Sequence, residues 1–456
     1  MKWKKTDLFL HDDPNPSVKI SSGLLEQFRE FSNSRWCVLS IGRNSVKVRL
    51  VIINDKSSFL SLSKSAALSA SIPERLIGGQ TLQIRMEADR ISLGPVFAIL
   101  TDSRAAENHI SLGNMEDYFT ELASYCAERG YLFYLFALKD WKEGNVSGWV
   151  RQDEQWVRTV MPYPDVIHNR LHQRKTELGF PFISFTKELV RLGIPFFNHR
   201  FLNKWEVYEW LESDPVLLPY VPASKKLASK KDFDLYTATY ADFFIKPIYG
   251  SQGKKIFRVR ETDDGYLLDD TSSIEPASRF KETDELFRHM YPRLTKEPYM
   301  LQETIRIITY HSKPLDFRIL CHKKNEQVWG VTSMTARVSS DSTFVSNLYQ
   351  GGTAYPVKKI LTELYGDKKA RSIRNMLAEL SEEICLAVER NTDGCYGEFG
   401  IDLTLDEDER LWLIEINSKP SKNSEYVSGL VKVRPSAKAV ADFGMHLSNR
   451  NEVEKK

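Results

Sequence analysis

Residues 397–417 read Gly-Glu-Phe-Gly-Ile-Asp-Leu-Thr-Leu-Asp-Glu-Asp-Glu-Arg-Leu-Trp-Leu-Ile-Glu-Ile-Asn, two alternating apolar and polar stretches on either side of an acidic turn. Side chains alternate between the two faces of a strand, so this segment predicts a β-hairpin. In the first arm Glu398, Gly400, Asp402 and Thr404 share one face, and Phe399, Ile401, Leu403 and Leu405 share the other. In the second arm Leu411, Leu413, Glu415 and Asn417 are expected to point one way, with Trp412, Ile414 and Ile416 pointing the other. A turn over 407–410 brings Asp402 directly opposite Glu415, at about 5 Å. Like charges at that range repel, so either one carboxyl keeps its proton or a divalent cation neutralises both. Asn417 adds a neutral oxygen. Such an all-oxygen set suits Mg²⁺ or Mn²⁺ better than zinc, and Mg²⁺ commonly arrives with substrate phosphates. The competing reading is a solvated acidic pair near a hairpin tip.

Composition narrows the classes that remain. With 456 residues, 42% hydrophobic and 27% charged, the chain reads as a globular protein of roughly two to four domains. A net charge of +2 argues against a nucleic-acid partner, which requires a strongly basic face. Lys2, Lys4 and Lys5 are followed by the polar run Thr6–Asp13, which lacks the apolar core of a signal peptide. The longest apolar run, Tyr131–Leu138, is eight residues, against the roughly 20 that span a bilayer. The expectation is a cytoplasmic protein with no membrane span. Cys37, Cys126, Cys321, Cys385 and Cys395 are scattered and odd in number, as reduced core residues are. His109, His168, His172 and His311 have no ligand spacing and read as ordinary core or surface histidines.

Periodicity along the chain predicts an α+β protein in three parts. Short alternating stretches such as Val46–Ile53 and Leu82–Met86 mark a small β-rich domain over residues 1–94. Pro95–Leu100 reads as a buried strand. A helix capped by Asn114 and closed by Gly130 follows, with Phe119, Leu122 and Cys126 as its apolar stripe, and Tyr131–Leu138 is the next strand. Strand, helix, strand implies a parallel crossover, hence an α/β domain over 95–200. Residues 201–445 add a helix within 197–214, strand pairs, a charged helix around 366–391 and the acidic hairpin; 446–456 reads as a polar tail.

Upstream of the hairpin, Phe243-Phe-Ile-Lys246-Pro-Ile-Tyr-Gly250-Ser-Gln-Gly253-Lys254 is a strand running into a Gly/Ser loop. Glycines let backbone N–H groups approach an anion, and a lysine at the loop's base supplies a point charge. Position 248 is Ile and no Ser or Thr follows Lys254, so this is not a P-loop. Taken alone, a Lys-Pro pair and two glycines read as a surface hairpin rather than a nucleotide site. Asp316 and Arg318 share a strand face, where they either serve a ligand or pair with each other; Arg337 either steadies charge on a transferred phosphoryl group or forms a surface salt bridge.

The order of these elements resembles the ATP-grasp superfamily, in which two α+β lobes hold ATP between sheets and a carboxylate is activated as an acyl phosphate. The resemblance spans about 200–440 and implies an ATP-grasp fold preceded by an α/β pre-ATP-grasp domain and the N-terminal β-rich domain. Lys246 and the loop Gly250, Ser251, Gln252 and Gly253 are similar to the family's phosphate lysine and covering loop, and Lys204 to its earlier nucleotide lysine. Tyr299–Ile305 resembles the interlobe hinge, so Gln302, Glu303, Thr304 and Ile305 are implied to meet the adenine edge through their backbone. Leu315-Asp316-Phe-Arg318 and Ser346-Asn347 are similar to nucleotide-contacting segments of ribosomal-protein glutamate ligases, in which the aspartate helps hold the ribose. Asp402, Glu415 and Asn417 match the metal triad, with Glu415 implied to bridge two Mg²⁺ ions. Val345 stands where those ligases carry Arg, which implies a different acceptor or phosphate contact.

Leu93-Gly-Pro-Val and Pro162–Arg170 extend the likeness to the YheC/YheD group of spore-coat-associated ATP-grasp proteins. The activity implied is an ADP-forming ligase using ATP and Mg²⁺ on a carboxylate and a nucleophile. Arg318 and Arg337 would steady the anionic centre, and spore-coat proteins would be its partners. A kinase built on the same lobes, or a coat scaffold that binds ATP without turnover, are the rival readings. The sequence carries no signal of oligomeric state.

Overall fold

The computed structural model describes residues 3–453, apart from 29–30, 32–33, 79–80, 103, 107–108, 251–252, 274–275, 340–351, 423–424 and 426–431. Strands between Lys4 and Gly94 close into a barrel, ordered Lys4–His11, Phe59–Ser63, Ser17–Ser21, Asn44–Ile53, Trp36–Ile41, Arg90–Gly94 and Thr81–Glu87. Alternation explains the closure: in Thr81–Glu87, Leu82, Ile84 and Met86 are buried while their neighbours are not. A closed sheet leaves no edge to pair with another chain.

Beyond the barrel, Val96–Thr101 lies between the parallel strands Leu132–Phe136 and Val166–Arg170. It is buried along its whole length because both faces are covered. Val96, Ala98 and Leu100 join the barrel's core, while Phe97 and Ile99 pack under the helix Glu116–Arg129 and the helix Pro435–Val453. Gly130, at φ 74, ends the first of these helices. Its start differs from expectation: Asn114 lies in a 3₁₀ turn, Gly113–Met115, and Met115 occupies the cap without a side-chain bond. Glu116 and Asp117 in the first turn supply negative charge beside the exposed N–H groups instead.

Two further sheets face each other. The smaller runs Ser224–Leu227, Tyr299–Glu303, Asp242–Pro247, Phe257–Thr262, Gly265–Asp270 and Ser278–Phe280, and is antiparallel throughout. Phe243 and Ile245 pack with Phe233 and Leu286 of its helices, so period two turns Phe244 and Lys246 to the open face. The larger runs Thr353–Pro356, Trp329–Val338, Lys313–Lys323, Glu398–Leu405 and Leu411–Asn417. Behind it packs Val357–Asn391, longer than the helix expected over 366–391. It is broken at Gly366, where φ 75 and ψ 164 admit no helical turn. The polar tail expected from 446 is also different: Pro435–Val453 stays helical, with Leu447 and Ser448 buried.

A buried ionic cluster ties the α/β domain to the larger sheet. Glu398 is fully buried; Arg170 donates Nη1 to its Oε1 at 2.7 Å, Lys422 bonds its Oε2, and the Nε2 atoms of His168 and His322 lie 3.3 Å away. Burial works against the ionised carboxylate, but Lys422 and Arg170 hold it well below the usual range. Burial pulls both histidines down to about 4 against the pull of Glu398, so they are neutral near pH 7. Asn198, which donates to the carbonyls of Glu398 and Ser418 and accepts from Gly397 N–H, sews the same junction through the backbone. Removing one partner of a buried ion cluster costs about 3–5 kcal/mol. Glu398→Gln is therefore expected to lower the urea midpoint by an amount equivalent to about 3 kcal/mol. A loss under about 1 kcal/mol would show that the cluster does not hold the junction.

Candidate active site between the two sheets

The hairpin pairs Asp402 with Glu415 and Gly400 with Asn417, the register expected from its alternation. The uniform alternation of its second arm does not hold. Leu403 opposes Leu413 and Leu405 opposes Leu411, so a bulge at Ile414 shifts the register by one residue. The bulge sends Leu411 and Leu413 into the core with Ile416, and leaves Trp412, Glu415 and Asn417 lining the cavity. Without it, two leucines would share the face of Glu415.

Asp402 escapes like-charge repulsion in a way the sequence reading did not include. Arg318 bonds both its carboxylate oxygens, Nη2 to Oδ2 at 2.8 Å, and Arg337 Nη2 lies 3.1 Å from Oδ2. Burial opposes ionisation of Asp402, but the two guanidinium groups hold its pKa below the usual value. Asp316 does not pair with Arg318. It faces Arg337 across the strands and takes both Nε and Nη2 at 2.6 Å. Arg337 is buried, which excludes the surface salt bridge, and both arginines are engaged by carboxylates rather than free.

Glu415 is met by a lysine. Lys204 opens the helix Lys204–Glu212, which is capped by Asn203 and Glu206 and anchored in the larger sheet's core by Val207 and Leu211. Its Nζ donates to Glu415 Oε1 at 2.5 Å and to the Gly250 carbonyl at 2.8 Å. Lys204 thus links the acidic hairpin to the glycine loop of the opposite sheet. Gly250 is required there: a Cβ would lie 2.3 Å from Pro247 Cγ. Gly253 sits at φ 68, in the left-handed region. Ser251, Gln252, Ser346 and Asn347 lie outside the described residues.

Lys246 donates Nζ to Gln302 Oε1 at 2.5 Å, and Gln302 in turn donates to Ser224 Oγ at 3.0 Å. Burial, with Lys204 close by, pulls the Lys246 ammonium down to about 8, against the attraction of Glu415. In the hinge, Glu303 accepts from Ala223 N–H at 2.7 Å and Thr304 donates to Asp242 Oδ1 at 2.8 Å, so those side chains serve the loop itself. Gln302, Glu303, Thr304 and Ile305 all line the cavity.

One cavity of about 1080 Å³ takes in every described candidate, from Lys204, Lys246 and the hinge to Asp316, Arg318, Arg337, Asp402, Glu415 and Asn417. That volume reaches the upper end of ligand pockets, room for a nucleotide and a second substrate. The donor set fits magnesium. Glu415 and Asn417 are oxygen-bearing and Asp402 Oδ1 retains a lone pair beyond its arginine; Asn417 Nδ2, buried without a hydrogen-bond partner among the described residues, is a donor and would meet an acceptor such as a phosphate oxygen rather than the cation. Among the described residues no group of three or more His, Cys, Asp or Glu converges, so the remaining ligands would be phosphate or water oxygens.

Sequence reasoning missed the cavity's other end, lined by Asn114, Arg170, His172, Arg174 and Lys419. Only Lys419 carried a signal, as a Lys-Pro pair just past the hairpin that echoes Lys246-Pro247.

Two facing sheets, one bearing a lysine and glycine loop and the other an acidic hairpin, around a shared cavity define the ATP-grasp fold. The chain belongs to the YheC/D like ATP-grasp family, whose model matches residues 193–447, more than half of its length. It is similar to endospore coat-associated protein YheD of Bacillus subtilis (strain 168), at 26% identity over 360 residues, covering 75% of this chain and 78% of that protein. Endospore coat-associated protein YheC of the same organism is 23% identical over 337 residues, covering 71% and 88%. Among solved structures, the D-alanine-D-alanine ligase from Coxiella burnetii aligns at a TM-score of 0.44 with 10% identity, over 79% of this chain and 97% of that one.

The two hairpin carboxylates should behave differently on neutralisation. Asp402→Asn leaves the buried Arg318 without its counter-charge, while Arg337 keeps Asp316, and is expected to cost about 3 kcal/mol. Glu415→Gln breaks one partly exposed pair and should cost under about 1 kcal/mol. Denaturant titrations of both variants check this; equal losses would reject the clamp around Asp402.

Proposed function

We propose that the chain is an ATP- and Mg²⁺-dependent ligase that activates a carboxylate as an acyl phosphate for attack by an amine or similar nucleophile. The observation that carries this reading is the convergence of Lys246, Lys204, the arginine-held Asp402, Glu415 and Asn417 on one cavity between facing sheets. Lys246 and the loop at Gly250 would orient the phosphates, and the hinge backbone at Gln302–Ile305 would take the adenine edge. Asp402, Glu415 and Asn417 would hold magnesium, which when bound neutralises charge on the β- and γ-phosphates.

In the first step a carboxylate oxygen of the substrate attacks the γ-phosphorus, and the bond to the β,γ-bridging oxygen breaks with release of ADP. In the second the nucleophile's nitrogen attacks the acyl carbon, phosphate departs with the carbon–oxygen electron pair, and the nitrogen loses a proton to solvent. The protein contributes positioning and fixed charge, with Arg318 and Arg337 keeping positive charge beside the transferring group. A second reading, an ATP-binding coat component without turnover, draws on the names of the two relatives, both endospore coat-associated proteins. Spore-coat association is part of the proposal under either reading. No helix among the described residues is long and apolar enough to cross a membrane.

Incubating the protein with Mg-ATP and a metabolite pool is expected to yield ADP, phosphate and a condensed product. AMP with pyrophosphate, or a stable phosphorylated product, would reject the ligase, and nucleotide binding without any release would favour the coat component. Glu415→Gln should lose most of the Mg-dependent thermal stabilisation by ATP; full stabilisation in that variant would remove Glu415 from the metal site. Lys246 sheds its proton at about 8 in the free protein, whereas a bound phosphate would retain it. Nucleotide affinity is therefore expected to be level below about pH 8 and to fall above it, with proton uptake in calorimetry. Lys246→Arg should flatten that profile, and an unchanged slope would place the titration elsewhere.

A further inference from the structure

Past the hinge and hairpin, the cavity continues between the α/β domain and the segment following Asn417, where Arg170, His172, Arg174 and Lys419 line it. Arg174 donates Nη2 to the Leu202 carbonyl at 2.6 Å, and its guanidinium lies 5.4 Å and 5.2 Å from the ring centroids of Phe201 and Tyr249. Those contacts hold the guanidinium in place and use one of its five N–H donors. Among the described residues it has no ion-pair partner.

The neighbouring cations are already matched. Lys419 pairs with Glu177 and lies 4.5 Å from the Phe201 ring centroid; Arg170 pairs with Glu398 and the Pro420 carbonyl, its Nε buried without a partner. The acids whose charges act on Arg174 are taken as well: Glu177 pairs with Lys419 and Glu206 with Arg200, while Asp102 accepts from the backbone N–H groups of His172 and Gln173. His172 is exposed along the cavity wall, and desolvation there, with the charges of Arg170 and Lys419, pulls its imidazole down to about 4, so it is neutral at pH 7.

One guanidinium without an ion pair among the described residues accommodates one negative charge, and its planar fork matches a carboxylate bidentately. A phosphate, near two charges at pH 7, would exceed that capacity. Arg170, His172 and Arg174 precede the stretch matched by the family model, 193–447, so the match does not imply a role for them.

We propose that this end of the cavity is a carboxylate subsite, centred on Arg174 with His172 and Lys419, that holds a second acid group of the substrate. The inference rests on the ligase reading and narrows it to a dicarboxylate-type substrate, one acid group delivered towards the phosphates and the other held by Arg174.

The test is calorimetry on the full chain without nucleotide, using straight-chain dicarboxylates from succinate to adipate, butyrate, and inorganic phosphate as probes. At least one dicarboxylate is expected to bind about tenfold or more tightly than butyrate, and more tightly than phosphate. Arg174→Gln should weaken that binding at least about tenfold, and Arg174→Lys, which keeps the charge without the fork, should fall between. Equal binding of butyrate and the dicarboxylates, preference for phosphate, no dicarboxylate binding, or an unaltered Arg174→Gln variant would each overturn the subsite. The wild-type comparison among probes stands even if the variant does not fold. Mg-ATP binding to the wild-type chain, measured separately, tests the ligase reading alone: its loss overturns that reading, while its presence without dicarboxylate binding overturns only the subsite.

Discussion

Asp402 carries a buried negative charge, and the geometry of the larger sheet follows from how that charge is answered. Arg318 reaches it from the adjacent strand and Arg337 from the strand beyond, with Asp316 balancing Arg337 in turn. An unpaired carboxylate at this depth would be neutralised by a proton. Two guanidinium groups keep it ionised and fix three strands in mutual register. This frees Glu415, opposite on the hairpin, to turn its charge towards the cavity and Lys204. Two carboxylates in direct opposition therefore coexist because each has its own cation.

The same logic of matched buried charge joins the α/β domain to the site. Glu398 lies two residues before Gly400 on the hairpin strand, and its partners Arg170 and His168 come from the end of the strand Val166–Arg170. That contact sets Arg170, His172 and Arg174 over one end of the cavity. Lys204 performs a parallel task at the other lobe, spanning from Glu415 to the Gly250 carbonyl. The cavity is thus walled by three parts of the chain that are far apart in sequence, and buried or partly buried charges tie two of its corners beside apolar contacts such as that of Tyr208 with Ile248 and Met300.

Much of the hairpin was legible beforehand because period two is a local property. Phe399, Ile401, Leu403 and Leu405 turn to the core and Asp402 meets Glu415 as alternation requires. The bulge was not legible, since Ile414 is apolar like Leu413 before it and Ile416 beyond it, and nothing local marks it as the extra residue. Nor were the partners of Arg318 and Arg337, which depend on which strands lie side by side. The helical end of the chain escaped for a related reason: residues 446–453 look polar, but Leu447 and Ser448 are buried in a helix that packs beneath the α/β sheet.

Alternation, a lysine before a glycine loop and an acidic turn are written in short stretches of chain, where the sterics of a strand and the freedom of glycine act within a few residues. From these alone the facing strands, the oxygen-rich hairpin and the phosphate-ready loop could be read. Which charge meets which was settled by packing, because Coulomb attraction between buried groups acts through space and depends on burial, both products of the assembled fold. Hence Lys204 on Glu415, Arg337 on Asp316 and Arg174 between two aromatic rings emerge only when the lobes and the α/β domain come together.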